Sequence, residues 1–241
     1  MSTALITGAG SGIGRGVALE LDKLGMRLAL LGRDEQKLAE TRRQLSPEGR
    51  ESALLLVCDI ADRAAVDRSV AETLKLFGSI EVLVCNAGTN VRDRALDKLS
   101  PADFDKMIAT NLTGSFNLAH AVLPQMRARG SGTVIQISSI SGMRVSPLGG
   151  VGYSASKFGQ AALGIGISLE DGARGIRSTV IYPGEVDTPI LDNRPVPVPA
   201  ERRRLILQPE DVAAAVRFVV TLNPRANVLE IVIKPTVDAF S

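Results

Sequence analysis

Thr7-Gly8-Ala9-Gly10-Ser11-Gly12-Ile13-Gly14 follows directly on the apolar run Ala4-Leu5-Ile6. A short apolar strand, a glycine-rich turn and an amphipathic stretch in that order form the start of a strand–helix unit. A tight turn there needs glycine at Gly8. Gly12 and Gly14 let backbone approach a pyrophosphate at the positive end of the helix. A glycine-rich turn without a ligand reads the same in isolation. The spacing here, glycine, three residues, glycine, one residue, glycine, also differs from the common dinucleotide fingerprint.

The same alternation continues along the chain. Short apolar runs predict strands at Ala4–Thr7, Arg27–Leu31, Leu54–Cys58, Val82–Cys85, Val134–Ile137, Ser178–Tyr182 and Val228–Ile233, with helices filling most of the gaps. This is the α/β pattern of a parallel sheet covered by helices on both faces. Right-handed crossovers and the position of the glycine turn favour a Rossmann-type, doubly wound sheet ordered 3-2-1-4-5-6-7. No linker or composition break divides the 241 residues, which predicts one domain over residues 1–241. Pro195, Pro197 and Pro199 alternate with valine and predict a short extended stretch.

Composition narrows the function classes. A formal net charge of +2 argues for neither nucleic acid nor a membrane surface. No apolar run approaches the roughly 18 residues of a spanning helix, and Ala4–Ile6 is too short for a signal peptide, so the expectation is a cytoplasmic protein. Cys58 and Cys85 each end a predicted strand, and two strands separate them in the proposed order, too far for a disulfide. Neither they nor His120, the single histidine, have metal-ligand spacing, so no metal is expected.

Downstream, Tyr153 and Lys157 stand four apart in Tyr-Ser-Ala-Ser-Lys. On a helix they share one face, which brings an ammonium within a few ångströms of a phenol and favours its ionised form. Lowering a phenol from about 10 towards 7 takes about 4 kcal/mol, and one ammonium near 5 Å contributes about 3 kcal/mol at an effective dielectric of 20. Taken alone, such a pair is more often a surface contact. Its company decides.

That company resembles the short-chain dehydrogenase/reductase family, in its single-domain subgroup, from Thr3 to about Ile233. The likeness rests on the glycine run, on Tyr-Ser-Ala-Ser-Lys, and on four ordered segments: Asp59-Ile60, Asn86-Ala87-Gly88, Ser138-Ser139-Ile140-Ser141-Gly142 and Pro183-Gly184-Glu185-Val186-Asp187-Thr188-Pro189. The resemblance implies a phosphate loop at Gly8, Ser11, Gly12, Ile13 and Gly14. It also implies that Asp59 and Ile60 flank the adenine and that Asn86 and Gly88 shape the wall near the ribose. Pro183, Gly184, Val186 and Thr188 would form the nicotinamide turn. Four residues carry the implied chemistry. Tyr153 exchanges the proton, Ser139 hydrogen-bonds the substrate oxygen, Lys157 holds the ribose hydroxyls and lowers the phenol pKa, and Asn111 anchors a water.

Four departures from the family pattern stand out. Thirteen residues, Ile140 to Gly152, separate Ser139 from Tyr153 where the family has twelve; Gly149, Gly150 and Gly152 offer a wider loop, with Ser141 as the substitute serine. After the second strand stands Gly32-Arg33 instead of an acidic residue, so NADP(H) is the expected cofactor, with Arg33 on the 2′-phosphate. Ser11 occupies the place of the family's second basic marker. The C-terminal stretch after Ile233 also lacks the terminal glycine-rich turn of many relatives.

Residues 187–208 follow the nicotinamide turn, where the resemblance implies a substrate-covering segment that is mobile until ligands bind. Arg202-Arg203-Arg204 within it reads as a solvated helix face in preference to an anion site. The expected function is therefore hydride transfer between NADP(H) and a small or medium carbonyl or secondary alcohol, as a reductase. The alternatives are a cofactor-binding regulator without turnover and a sugar or hydroxy-acid dehydrogenase using the same residues. The expected partner is a second copy of the chain, in a homodimer or homotetramer, through helices over Asp103–Arg129 and Tyr153–Ala173. Phe116, Ala119, Ala162 and Gly166 could pack on that partner or on the sheet.

Overall fold

A computed structural model describes residues 1–238. Among these, seven parallel strands form one sheet: β1 (Thr3–Thr7), β2 (Arg27–Gly32), β3 (Leu54–Val57), β4 (Val82–Cys85), β5 (Gly132–Ile137), β6 (Ile176–Pro183) and β7 (Glu230–Ile233). Their order is β3-β2-β1-β4-β5-β6-β7, as the sequence predicts. The helices are α1 (Gly12–Asp22), α2 (Glu35–Gln44), α3 (Pro47–Ser52), α4 (Arg63–Phe77), α5 (Pro101–Met107), α6 (Gly114–Arg129), α7 (Val151–Asp171), α8 (Ala200–Arg203) and α9 (Pro209–Thr221).

The period of two in the strands and of 3.6 in the helices builds two apolar layers. Ala4 and Ile6 of β1 and Leu28 and Leu30 of β2 face α1 and α9, which bring Val17, Ala18 and Leu21, and Val212, Ala213, Val216 and Val219. Leu5, Ala29 and Leu31 point the other way, onto Val66 and Val70 of α4, Leu118 and Val122 of α6 and Ile167 of α7. Helix starts are marked locally: the Asp34, Asp62 and Ser100 side chains accept hydrogen bonds from the first-turn amides of α2, α4 and α5.

Two details differ from expectation. β3 ends at Val57, which leaves Cys58 just beyond it; Cys58 and Cys85 are both buried, free thiols. The single helix expected over Asp103–Arg129 is two helices joined by a wider π-helical turn, Ile108–Thr113. His120 lies on the exposed side of α6, its ring 5.6 Å from that of Phe116. No helix among the described residues is long and apolar enough to cross a membrane.

The order reverses between β1 and β4, where the chain leaves the sheet in opposite directions and opens a crevice at the strand ends. A side-chain brace holds that crevice. Thr7 Oγ1 accepts from the Asn86 and Ala87 amides (2.9 and 3.0 Å), and Asn86 Nδ2 donates to the Thr7 carbonyl (2.9 Å).

Candidate active site

A cleft of about 1300 Å³ runs along the C-terminal ends of the strands. The glycine loop forms its middle. Gly8 and Gly12 adopt positive φ, +64° and +49°. Gly8, Ser11, Gly12 and Ile13 line the cleft, whereas Gly14 stands behind them. A Cβ on Gly14 would lie 2.2 Å from the Gly8 carbonyl oxygen and 2.6 Å from Asn86 Nδ2. The absence of a side chain at Gly14 therefore lets α1 close onto the loop. Two residues that sequence reasoning passed over hold the loop in place: Arg15 donates to the Gly10 carbonyl and to Thr41 Oγ1, and Thr41 Oγ1 donates to the Ala9 carbonyl.

One end of the cleft is set by the turns after β2 and β3. Arg33 lies there, exposed, with no hydrogen bond or ion pair to any other described residue. Its neighbours Asp34 and Lys37 are occupied, Asp34 capping α2 and pairing with Lys37 at 3.7 Å. Asp59 lines the cleft and closes its own turn by accepting from the Ala61 amide, while Ile60 is buried against Gly114. Asn86 and Gly88 form the central wall; a Cβ on Gly88 would stand 3.4 Å from both Asn111 Oδ1 and Lys157 Nζ.

The other end gathers Ser139 after β5, Tyr153 and Lys157 on α7, and Pro183, Gly184, Val186 and Thr188 after β6. Thr188 Cγ2 stands against Gly12, where a Cβ would approach it to 2.9 Å. The turn after β6 and the glycine loop thus meet across the crevice. Ser139 Oγ accepts from the Ser141 amide (3.1 Å), capping a short turn over Ile140–Gly142. Ser138 Oγ bonds to the Lys157 carbonyl (2.9 Å) and is turned away from the site. The stretch between Ser139 and Tyr153 tightens between Ser146 and Gly150. The Gly149 and Gly150 amides both donate to the Ser146 carbonyl, and Gly150 adopts φ +79°, which a side chain would resist. Ser139 is within hydrogen-bond reach of the Tyr153 phenol.

Lys157 is 3% exposed, and its Nζ lies 5.8 Å from the Tyr153 ring centre. It donates to the Ile137 carbonyl (2.8 Å) and to Gln160 Oε1 (2.7 Å). Burial lowers its pKa to about 7, against a small opposing effect of Cys85. Burial also raises the Tyr153 phenol above its ordinary value, while Ser139, Arg94 and Arg194 pull it down. Lys157 is not among these influences in the protein alone, where the same burial lowers its own pKa. Gln160 is a further residue that the sequence did not single out. Its Nε2 reaches the Cys85 carbonyl, Ser115 Oγ and Gln136 Oε1, so the lysine rests on a buried amide network.

Asn111 is fully buried in the π-helical turn. Its Nδ2 donates to the Thr89 carbonyl and Ser156 Oγ (3.0 and 2.8 Å), and its Oδ1 accepts from the Thr89 amide (2.8 Å). The side chain ties the loop after β4 to α7 and does not itself line the cleft.

Residues 187–208 fold over this end with more structure than expected. A 3-10 turn spans Pro189–Asn193, α8 follows the extended Pro-Val stretch, and Val186 pairs with Leu207. Arg202 and Arg203 are ion-paired, whereas Arg204 is exposed, as a solvated face predicts. Glu185 pairs with Arg194 and Arg202, each at 2.8 Å, and Arg203 pairs with Asp187 and Asp192, each at 2.8 Å.

Comparisons with known proteins agree with this geometry. The family model described as short chain dehydrogenase matches residues 2–196. An uncharacterized oxidoreductase of Staphylococcus aureus (strain USA300) is 33% identical over 232 residues, 96% of each chain. Among solved structures, levodione reductase matches with a TM-score of 0.89 and 29% identity over 97% of this chain and 96% of its own. An alcohol dehydrogenase of Thermococcus sibiricus, complexed with 5-hydroxy-NADP, gives 0.89 and 29% over 100% and 99%.

Proposed function

The chain belongs to the short-chain dehydrogenase family, and on that premise we propose that it is an NADP(H)-dependent oxidoreductase for a small or medium carbonyl or secondary alcohol, working as a cytoplasmic reductase. The observation that carries this reading is that Ser139, Tyr153 and Lys157 share one cleft with the glycine loop and with Arg33. Arg33 supports the phosphorylated cofactor: an exposed guanidinium at the end of β2, with its N–H groups unclaimed by other described residues, matches a 2′-phosphate.

When bound, the nicotinamide supplies the hydride. The protein's own groups handle the proton and the oxygen. Ser139 Oγ offers a hydrogen bond to the substrate oxygen and Tyr153 donates its phenolic proton to it; a raised phenol pKa keeps Tyr153 protonated at neutral pH, the form that reduction needs. Lys157, held by Gln160 and the Ile137 carbonyl, presents its amino group to the ribose hydroxyls. The test is NADPH consumption across aldehydes, ketones, β-ketoacyl thioesters and quinones. The reading expects oxidation of NADPH with at least one class, and slower oxidation of NADH. Binding of NADPH without consumption in any class would favour a regulator.

A further inference from the structure

One charge in the cleft has no part in hydride transfer as described. Arg94, in the loop between β4 and α5, is 6% exposed and lines the cleft. Its Nε donates to the Val91 carbonyl (2.9 Å), Nη1 to the Leu148 carbonyl (2.9 Å) and Nη2 to the Asn193 carbonyl (2.6 Å). All three acceptors are neutral. A guanidinium has five N–H groups, so one on each terminal nitrogen has no acceptor among the described residues. Holding three carbonyls does not require a cation, and burying one without a counter-charge is costly.

The carboxylates nearby do not supply that counter-charge. Glu185 is taken by Arg194 and Arg202, and Asp238 by Arg202. Burial and the like charge of Arg194 lower the Arg94 pKa, while Tyr153 opposes them. Arg94 and Arg194 line the same cleft as Tyr153 and both lower its phenol pKa; Arg194 is balanced by Glu185, which leaves Arg94 as the uncompensated charge at this end. Arg202 and Arg203, the cations that stand out in the sequence, are already paired.

We propose that Arg94 binds a carboxylate on the substrate, so that the enzyme prefers oxo acids, or the corresponding hydroxy acids, to neutral ketones and alcohols. The assignment rests on the oxidoreductase reading above and names its substrate class. A planar guanidinium with two free N–H groups suits a carboxylate, and the anion would neutralise a charge that the fold leaves uncompensated.

Matched pairs test it: pyruvate, acetoacetate and levulinate, which place the carboxylate at increasing distance from the carbonyl, each against its methyl ester, with NADPH consumption followed in wild type, Arg94→Gln and Arg94→Lys. For at least one acid, kcat/KM should exceed that of its ester by about tenfold to a hundredfold, the range of a charge-assisted hydrogen bond. Arg94→Gln should bring this ratio towards one, whatever it does to the shared rate, and Arg94→Lys should retain part of it. Should Arg94→Gln fail to fold, the wild-type ratio still decides. Equal use of acid and ester by wild type overturns the proposal. An unchanged ratio in a folded Arg94→Gln also overturns it, because a residue acting only through the Tyr153 phenol would slow acid and ester alike. Consumption with esters alone removes the carboxylate assignment and leaves the oxidoreductase reading standing. No consumption with any acid or ester counts against both.

Discussion

Lys157 is where burial and charge oppose each other most directly. An unfolded lysine keeps its proton up to about pH 10.4, whereas the folded one releases it near 7. Between those values the unfolded chain binds more protons, so this residue's contribution to stability rises with pH and is lost as pH falls through about 7. Urea unfolding at pH 7 and pH 9 should show wild type gaining about 2–3 kcal/mol relative to Lys157→Met across that interval. A difference that does not change with pH would contradict the buried, deprotonating lysine. Arg33 poses the complementary question at the exposed end of the cleft. A charge-assisted fork contributes about 1.5–3 kcal/mol, so Arg33→Ala should weaken NADPH by roughly tenfold to a hundredfold and leave NADH nearly unchanged, as measured by calorimetric titration. Equal weakening of both would remove the assignment to the 2′-phosphate. Residues such as Tyr153, Lys157 and Ser139 were legible because their spacing is itself a signal. Gln160 and Arg94 were not: a lone glutamine or arginine has no periodicity, and only burial shows that each is held inside and what it touches.

At the level of elements, strand positions and sheet order followed from apolar runs and crossover handedness, because a strand buried on both faces leaves a continuous apolar stretch. The break in the helix before Arg129 did not. Asn111 draws its turn towards Thr89 and Ser156, partners 22 and 45 residues away, and no local pattern encodes that pull. Residues 187–208 were read as an irregular, mobile cover because prolines preclude regular pairing, yet ion pairs pin them down. Glu185 is the hub, holding Arg194 and Arg202 from a side chain 8% exposed. Glu185→Gln removes the charge and keeps the shape, leaving two arginines poorly paired. Amide exchange across Leu191–Leu207 should then rise by about tenfold or more, corresponding to about 1.4 kcal/mol or more of local stability. In wild type the same amides should gain protection when NADP+ and substrate bind. Exchange that is unmoved by both the substitution and the ligands would show that the segment is not a cover.

Across the whole molecule, the cleft is a consequence of strand order. The chain leaves the sheet in opposite directions at β1 and β4, and the candidate site groups that line the cleft follow a strand end or sit on α1 or α7. The outer faces of α6 and α7 carry Phe116, Phe158, Ile165 and Leu169, all exposed, whereas Ala119 is buried against the sheet. That apolar surface supports the proposed homo-oligomer, with a tetramer the expected form. Light scattering at micromolar concentration should give a multiple of the chain mass; the mass of one chain would sink that proposal. The central claim is that Tyr153 transfers the proton in a hydride-transfer reaction, and Tyr153→Phe tests it most directly, because the ring stays and only the transferable proton is removed. On a carbonyl substrate that wild type reduces, NADPH consumption should fall by orders of magnitude while NADPH still binds. Turnover near the wild-type rate in Tyr153→Phe would contradict the account.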